Sequence, residues 1–353
     1  MNEKHESCNN RFILGSEFCK QPPVSNSIIR GILDADSLST WWGDSEAGKS
    51  FLALDRDLHI AHGIKWRGHK TRKGFVLYII GEGKNGMIRR VKAWHEYHGL
   101  PISDNIAFSI IPSALCQPES VNELIIDIQK LIKETGKNPT LIELDTLNRN
   151  FGQGDENSTK DMTAFVAGMD TLRRSTGAAI STVHHCGHGA KDRGRGSIVL
   201  HTNVDFEFKV SKSGNCLDEY CTTMEFIKVK DYDKPAPLSW SWKIQSLPWM
   251  EYDDDDNLIP INSVVLLPTD FIPSDVGDKQ QSALNALKQL YQAQRQTLID
   301  GGQDPSTALV KMADWMKAMI STDSDKSNRS RTRDSLIQRK IVEVIANEYV
   351  KPT

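Results

Sequence analysis

A chain of 353 residues, 39% hydrophobic and 25% charged, is long enough for two or three domains and has the make-up of an ordinary soluble globular protein. Its formal net charge of −3 excludes a polycation that holds nucleic acid by bulk charge, and it contains no apolar run of about 18 residues that would make a spanning helix. The six cysteines (Cys8, Cys19, Cys116, Cys186, Cys216 and Cys221) lack metal-ligand spacing and read as reduced thiols, which argues against zinc.

Residues 1–10 are polar and lack the apolar centre of a signal peptide, so a cytoplasmic protein with no membrane partner is expected. From about residue 38 to 245, short apolar runs alternate with longer amphipathic stretches, the pattern of a parallel sheet covered by helices. The runs are 38–42, 75–80, 106–111, 140–144 and 178–183, nearly continuous in hydrophobic residues, as strands buried on both faces must be. Between them 49–62, 84–98, 120–132 and 158–174 read as helices, with Gly63, Gly99, Gly136 and Gly177 just past their ends as C-caps. After Arg195 come strands without helices, at 204–210, 222–229 and 237–244, expected to extend the sheet in antiparallel fashion. Residues 248–273, rich in proline and aspartate, read as an acidic linker. Helical stretches at 280–294, 306–319 and 328–339 and an alternating tail at 341–350 then suggest a small domain resembling a winged helix.

The chemistry starts at Gly43-Asp44-Ser45-Glu46-Ala47-Gly48-Lys49-Ser50, followed by Phe51, which fits G-x-x-x-x-G-K-[ST] without mismatch. In such a loop successive backbone N–H groups point inward at phosphate oxygens. Lys49 would reach the β- and γ-phosphates of ATP and the Ser50 hydroxyl would ligate Mg²⁺. By composition alone a chance match in this length comes to about one in a hundred, and the strand before it and helix after it lower that further. A second carboxylate on the metal is expected at a strand end, where Leu141-Ile142-Glu143-Leu144-Asp145 places Asp145. Glu143 shares a strand face with Asp145 and is either near the metal, linked to solvent, or a charge tolerated at a cavity edge. Hydrolysis needs a group to orient water. Glu82, in Gly81-Glu82-Gly83 after the second strand, is favoured as base, with Glu143 as the alternative. His184 and His185 end a further strand, where α/β sheets bind ligands, although a histidine pair also serves as plain structure.

These pieces in this order resemble the RecA-superfamily ATPases, and in particular the plasmid and phage RepA-type replicative helicases, relatives of DnaB and KaiC. The matching stretches are 42–54, 78–83, 141–147, 156–158, 183–185 and 195–197, within a resemblance that covers roughly residues 20 to 245. The resemblance implies a RecA-like α/β core, Glu82 as the base and His185 as the sensor of γ-phosphate. It also implies a ring homo-oligomer, a hexamer, in which a neighbour supplies cations to the γ-phosphate. Lys228-Val229-Lys230 matches the Lys-x-Lys form of those fingers, and equally matches lysines that guard a strand edge. The family's arginine finger falls near Asp205, and residues 204–210 contain no arginine, which is a departure.

In ring helicases of this superfamily two loops face the central channel, here 148–154 and 187–196. The second holds Lys191, Arg193 and Arg195 among glycines, suited to tracking the backbone of single-stranded DNA. Arg329, Arg331 and Arg333 in the last helix spread around it, which fits phosphate contact more than base reading, or a solvated or protein-docking surface. The expected organisation is an N-terminal segment packing on the core (1–37), a RecA-like ATPase domain (38–247), the linker (248–273) and the winged-helix-like domain (274–353). The expected function is a Mg·ATP-dependent DNA motor, a hexameric replicative helicase of a plasmid, phage or mobile element, with a primase or origin-binding protein as partner. The alternative is a non-motor RecA- or KaiC-like switch that binds DNA or a protein.

Overall fold

The computed structural model describes residues 12–20, 26–81, 83–187, 190–194, 198–213, 220–269, 278–321, 325–338, 341–346 and 348–352, and the chain divides into two compact units, Met1–Phe271 and Ile272–Thr353. The first unit runs α1 (Gly15–Phe18), β1 (Ser27–Ile29), β2 (Leu33–Asp34), β3 (Leu38–Gly43), α2 (Lys49–His62), β4 (Phe75–Ile80), α3 (Lys84–His98), β5 (Ile106–Ser109), α4 (Pro118–Thr135) and β6 (Pro139–Asp145). It continues through α5 (Leu147–Phe151), α6 (Thr159–Thr176), β7 (Ala179–Gly187), β8 (Ala190–Gly194), α7 (Val199–Asn203), β9 (Phe206–Ser213), β10 (Cys221–Val229), β11 (Leu238–Tyr252) and β12 (Leu258–Thr269).

Ten strands among the described residues form one sheet in the order β12-β11-β10-β9-β3-β7-β6-β4-β5, with β8 paired to β7. Every residue of β3 and β4 is buried, so neither strand has a solvent face, and each needs cover on both sides. Two cores supply it. On one face Trp41, Tyr78, Leu141 and Val183 pack with Leu52, Leu58 and Trp94 of α2 and α3, joined by Ile28, Ile29 and Leu33. On the other Ile142, Leu144 and Ile180 pack with Ile128 of α4 and Phe165, Met169 and Leu172 of α6. Strand alternation makes this division, since odd residues of β6 meet the first core and even residues the second. Helices α2, α3, α4 and α6 each stop at a left-handed glycine: Gly63, Gly99, Gly136 and Gly177.

Two expectations from the sequence are corrected. Strand β9 is parallel to β3, because the stretch after β7, which includes α7, returns the chain to the starting end of the sheet; antiparallel pairing begins at β10. Most of residues 248–273 is also not linker. Strand β11 continues to Tyr252, Asp253 accepts the amides of Asp255 and Asn257 to close a turn, and β12 returns beside β11. The prolines that suggested a linker sit where a strand tolerates them. Pro260 and Pro268 lie on the free edge strand β12, and Pro248 lies in the irregular register between Ser246 and Met250. Leu247 and Val265 bury against Ala93 of α3, which holds the hairpin down.

The second unit comprises α8 (Asp278–Asp300), β13 (Val310–Lys311), α9 (Met312–Ala318), α10 (Lys326–Gln338), β14 (Val342–Ile345) and β15 (Tyr349–Pro352). Its three strands pair antiparallel in the order β13-β15-β14 over a core of Leu284, Leu287, Trp315, Leu336 and Val350. The sequence reading made 306–319 one helix, but residues 305–311 form a short 3₁₀ turn and then β13, so α9 is short. Helix, strand, two helices and a hairpin is the element order of a winged helix. Among the described residues no helix is long and apolar enough to cross a membrane.

Candidate nucleotide site

The P-loop bridges the end of β3 and the start of α2, so α2 aims its unpaired N-terminal amides at the loop. Two glycines are required by shape. A Cβ on Gly43 would sit 2.0 Å from the Val210 carbonyl oxygen on β9. Gly48 has φ +92°, and a Cβ there would lie 2.8 Å from Thr222 Oγ1. Lys49 is buried at 4% exposure and arches back over the loop, its Nζ donating to the carbonyls of Gly43 at 2.9 Å and Asp44 at 2.6 Å. An ammonium held over a ring of backbone amides is a preformed anion cradle.

The order β3-β7-β6-β4 brings Asp145 to the same end of the sheet as the loop. Ser50 donates to Asp145 Oδ1 at 3.0 Å across 95 residues of sequence. Two hydroxyl and carboxylate oxygens this close are a hard, all-oxygen donor pair, which fits Mg²⁺ and not a softer metal. Tyr78 donates to Asp145 Oδ2 at 2.6 Å. His185 is the register partner of Gly43, and alternation along β7 puts it on the face of Val183, the face that α2 covers. Glu82 lies outside the described residues; its neighbour Gly81 donates its amide to the Asp145 carbonyl, and Gly83 opens α3.

Glu143 is fully buried and bound to the Arg56 guanidinium, which also donates to Asp57 at 2.8 Å and stacks 4.9 Å above the Trp41 ring. One guanidinium thus faces two carboxylates. Burial pushes Glu143 up to about 8 against the pull of Arg56, and Asp57 up to about 6 for the same reason. With no exposed surface and with Arg56 on its carboxylate, Glu143 is not linked to solvent, which favours Glu82 over it as the base. Sequence reading missed Arg56 because a lone arginine in an amphipathic helix reads as surface. It also missed Thr222 and Trp242, which brace the loop from β10 and β11. Thr222 donates to the Ala47 carbonyl at 3.0 Å, the Trp242 indole donates to Thr222 at 2.7 Å, and the Trp242 ring lies 5.3 Å from Phe51.

Lys228 and Lys230 are not near the P-loop of their own chain. Antiparallel β10 carries them to the opposite end of the sheet. There Lys228 donates to the His201 and Thr202 carbonyls at the last turn of α7, and Lys230 pairs with Asp205 at 3.0 Å. Lys191 and Arg193 belong to β8, which folds back on β7, while Arg195 lies outside the described residues. Arg329, Arg331 and Arg333 lie on α10 of the second unit, and Arg333 pairs with Asp334.

No curated protein matches the chain. A family model described as an AAA domain matches residues 8–191, a little over half of the chain, and spans the P-loop, Asp145 and the strand of His185. The phosphate loop on a mostly parallel α/β sheet and that match lead to one conclusion: the chain belongs to the AAA domain family, and its first unit is a nucleotide-binding domain of the ATPase type.

Proposed function

We propose that this protein is a Mg·ATP-dependent, ring-forming DNA motor of the RepA-type helicase kind, a hexamer that serves the replication of a plasmid, phage or other mobile element. One observation supports a motor over a plain ATPase. Strand β7 passes the P-loop at His185, the partner of Gly43, and one residue later Cys186 begins the pairing with β8, the segment of Lys191 and Arg193. A shift at the γ-phosphate would therefore have a direct route along one strand to the β7–β8 hairpin at the same end of the sheet.

In the proposed mechanism water attacks the γ-phosphate in line. Glu82 orients that water, while Lys49 and the loop amides stabilise the charge that builds up in the transition state. Ser50 and Asp145 would hold Mg²⁺, which supplies charge neutralisation on the phosphate oxygens. His185 senses the γ-phosphate. The fingers donated in trans are Lys228 and Lys230, which would have to exchange Asp205 and the α7 carbonyls for a neighbour's phosphate. The test is ATPase turnover with and without single-stranded DNA, run beside displacement of a labelled strand from a forked duplex. DNA-stimulated turnover with displacement supports the motor. Slow turnover without displacement supports the KaiC-like switch instead.

A further inference from the structure

Tyr78 places a phenol in an otherwise hydrocarbon strand, Phe75-Val76-Leu77-Tyr78-Ile79-Ile80, with both neighbours on its face aliphatic. It is fully buried, and a buried phenol that merely filled the core would leave its hydroxyl without a hydrogen bond unless a polar group met it. The group that meets it is Asp145. In the parallel register of β4 and β6, Tyr78 pairs with Glu143 and Ile80 with Asp145, so the long phenol reaches two pairs along, to the next position on its own face, to donate to Asp145 Oδ2 at 2.6 Å. The other oxygen, Oδ1, accepts the Ser50 hydroxyl at 3.0 Å. Asp145 is thus gripped from both sides by hydroxyls from two different elements, with the Tyr78 ring steadied by Phe108 at 5.8 Å.

We infer that Tyr78 is a positioning residue for the divalent-cation site of Ser50 and Asp145: its hydroxyl fixes one carboxylate oxygen so that the other stays aimed at Ser50. The inference rests on reading the P-loop site as one that takes a Mg²⁺-nucleotide. Outer partners of this kind orient a metal ligand and keep it from rotating into alternatives that hold the cation less well. A phenol hydroxyl has one proton to donate, and the short contact to Oδ2 shows where it goes. A second carboxylate face so near, at Glu143, is kept from competing because Arg56 engages it.

Tyr78→Phe removes the hydroxyl and keeps the ring, so the core should stay filled. The readout is equilibrium binding of a fluorescent ADP analogue to the full chain, in EDTA and across a Mg²⁺ titration. In EDTA the variant should bind nucleotide as the parent does. The Mg²⁺ concentration at half-effect should rise about 10- to 100-fold, the usual cost of losing an outer partner of a metal ligand. A half-effect within twofold of the parent overturns the inference, as does an equal loss of affinity in EDTA, which would mark Tyr78 as a structural residue only. A parent that binds nucleotide without regard to Mg²⁺ fails differently, since it overturns the metal reading of the site before the variant is considered.

Discussion

Arg56 offers a severe test of how the floor of the nucleotide site is held. Arg56→Met leaves the Glu143 and Asp57 carboxylates in place and removes the cation that both contact. All three groups have fully buried side chains, so water cannot replace the lost partner. Breaking a buried ion pair by removing one member costs about 3–5 kcal/mol. At about 2–4 °C per kcal/mol for a large domain, the thermal midpoint of the first unit should fall by about 6–20 °C. The loss should also depend on pH, with a sign that follows from the shifts. Both carboxyl pKa values are raised in the folded chain by burial, Glu143 from 4.5 to about 8 and Asp57 from 3.8 to about 6. A folded state that keeps a proton the unfolded chain releases loses stability as pH rises through that window. Without Arg56 the main offset to burial is lost, leaving only the Ser181 hydrogen bond on Glu143. Both groups then rise further, and the penalty should be small at pH 5 and large at pH 8.5. The assay is scanning calorimetry or circular dichroism at those two pH values. The added changes Asp57→Asn and Glu143→Gln, which remove the charges, should restore most of the loss at high pH. A midpoint shift under about 2 °C at pH 8.5, or equal shifts at both pH values, would refute the ion-pair account.

Lys49→Ala should weaken nucleotide binding, because the loop loses the cation that would reach the β- and γ-phosphates; filter binding reads this directly. Glu82→Gln should instead retain ATP and abolish its hydrolysis in single turnover, and hydrolysis at the parental rate would remove Glu82 as the base. Replacing Lys191, Arg193 and Arg195 together by alanine should flatten the salt dependence of single-stranded DNA binding by about 2 units in slope, near 0.7 per cation lost. An unchanged slope would take that hairpin out of the DNA path. Alanine at both Lys228 and Lys230 should lower turnover with little change in ATP affinity, and mixing that variant with Lys49→Ala should restore some activity. No restoration in proven mixed rings would confine both lysines to the in-chain bonds that they make with Asp205 and α7.

The sequence by itself determined what depends on neighbours along the chain. The P-loop is eight contiguous residues, so its chemistry could be read from their order. Strand β4 declared its burial through an unbroken run, and β3 did so less fully through Leu38, Trp41 and Trp42, while α2, α3, α4 and α6 declared their ends through Gly63, Gly99, Gly136 and Gly177. Asp145 was legible as a carboxylate closing an apolar strand. Its contact with Ser50, 95 residues away, was not, because periodicity states which face a side chain takes and not which strand lies beside it. The same limit hid Tyr78 as the holder of Asp145, Arg56 as the partner of Glu143, and Thr222 as the brace behind Ala47. It also reversed the meaning of 248–269, where proline and aspartate become an edge strand and a turn once α3 offers Ala93 to bury Leu247 and Val265. Only the tertiary structure decides such cases. A buried polar or interrupted segment is stable or not according to the partner that strand order brings to it, and local sequence does not encode that order.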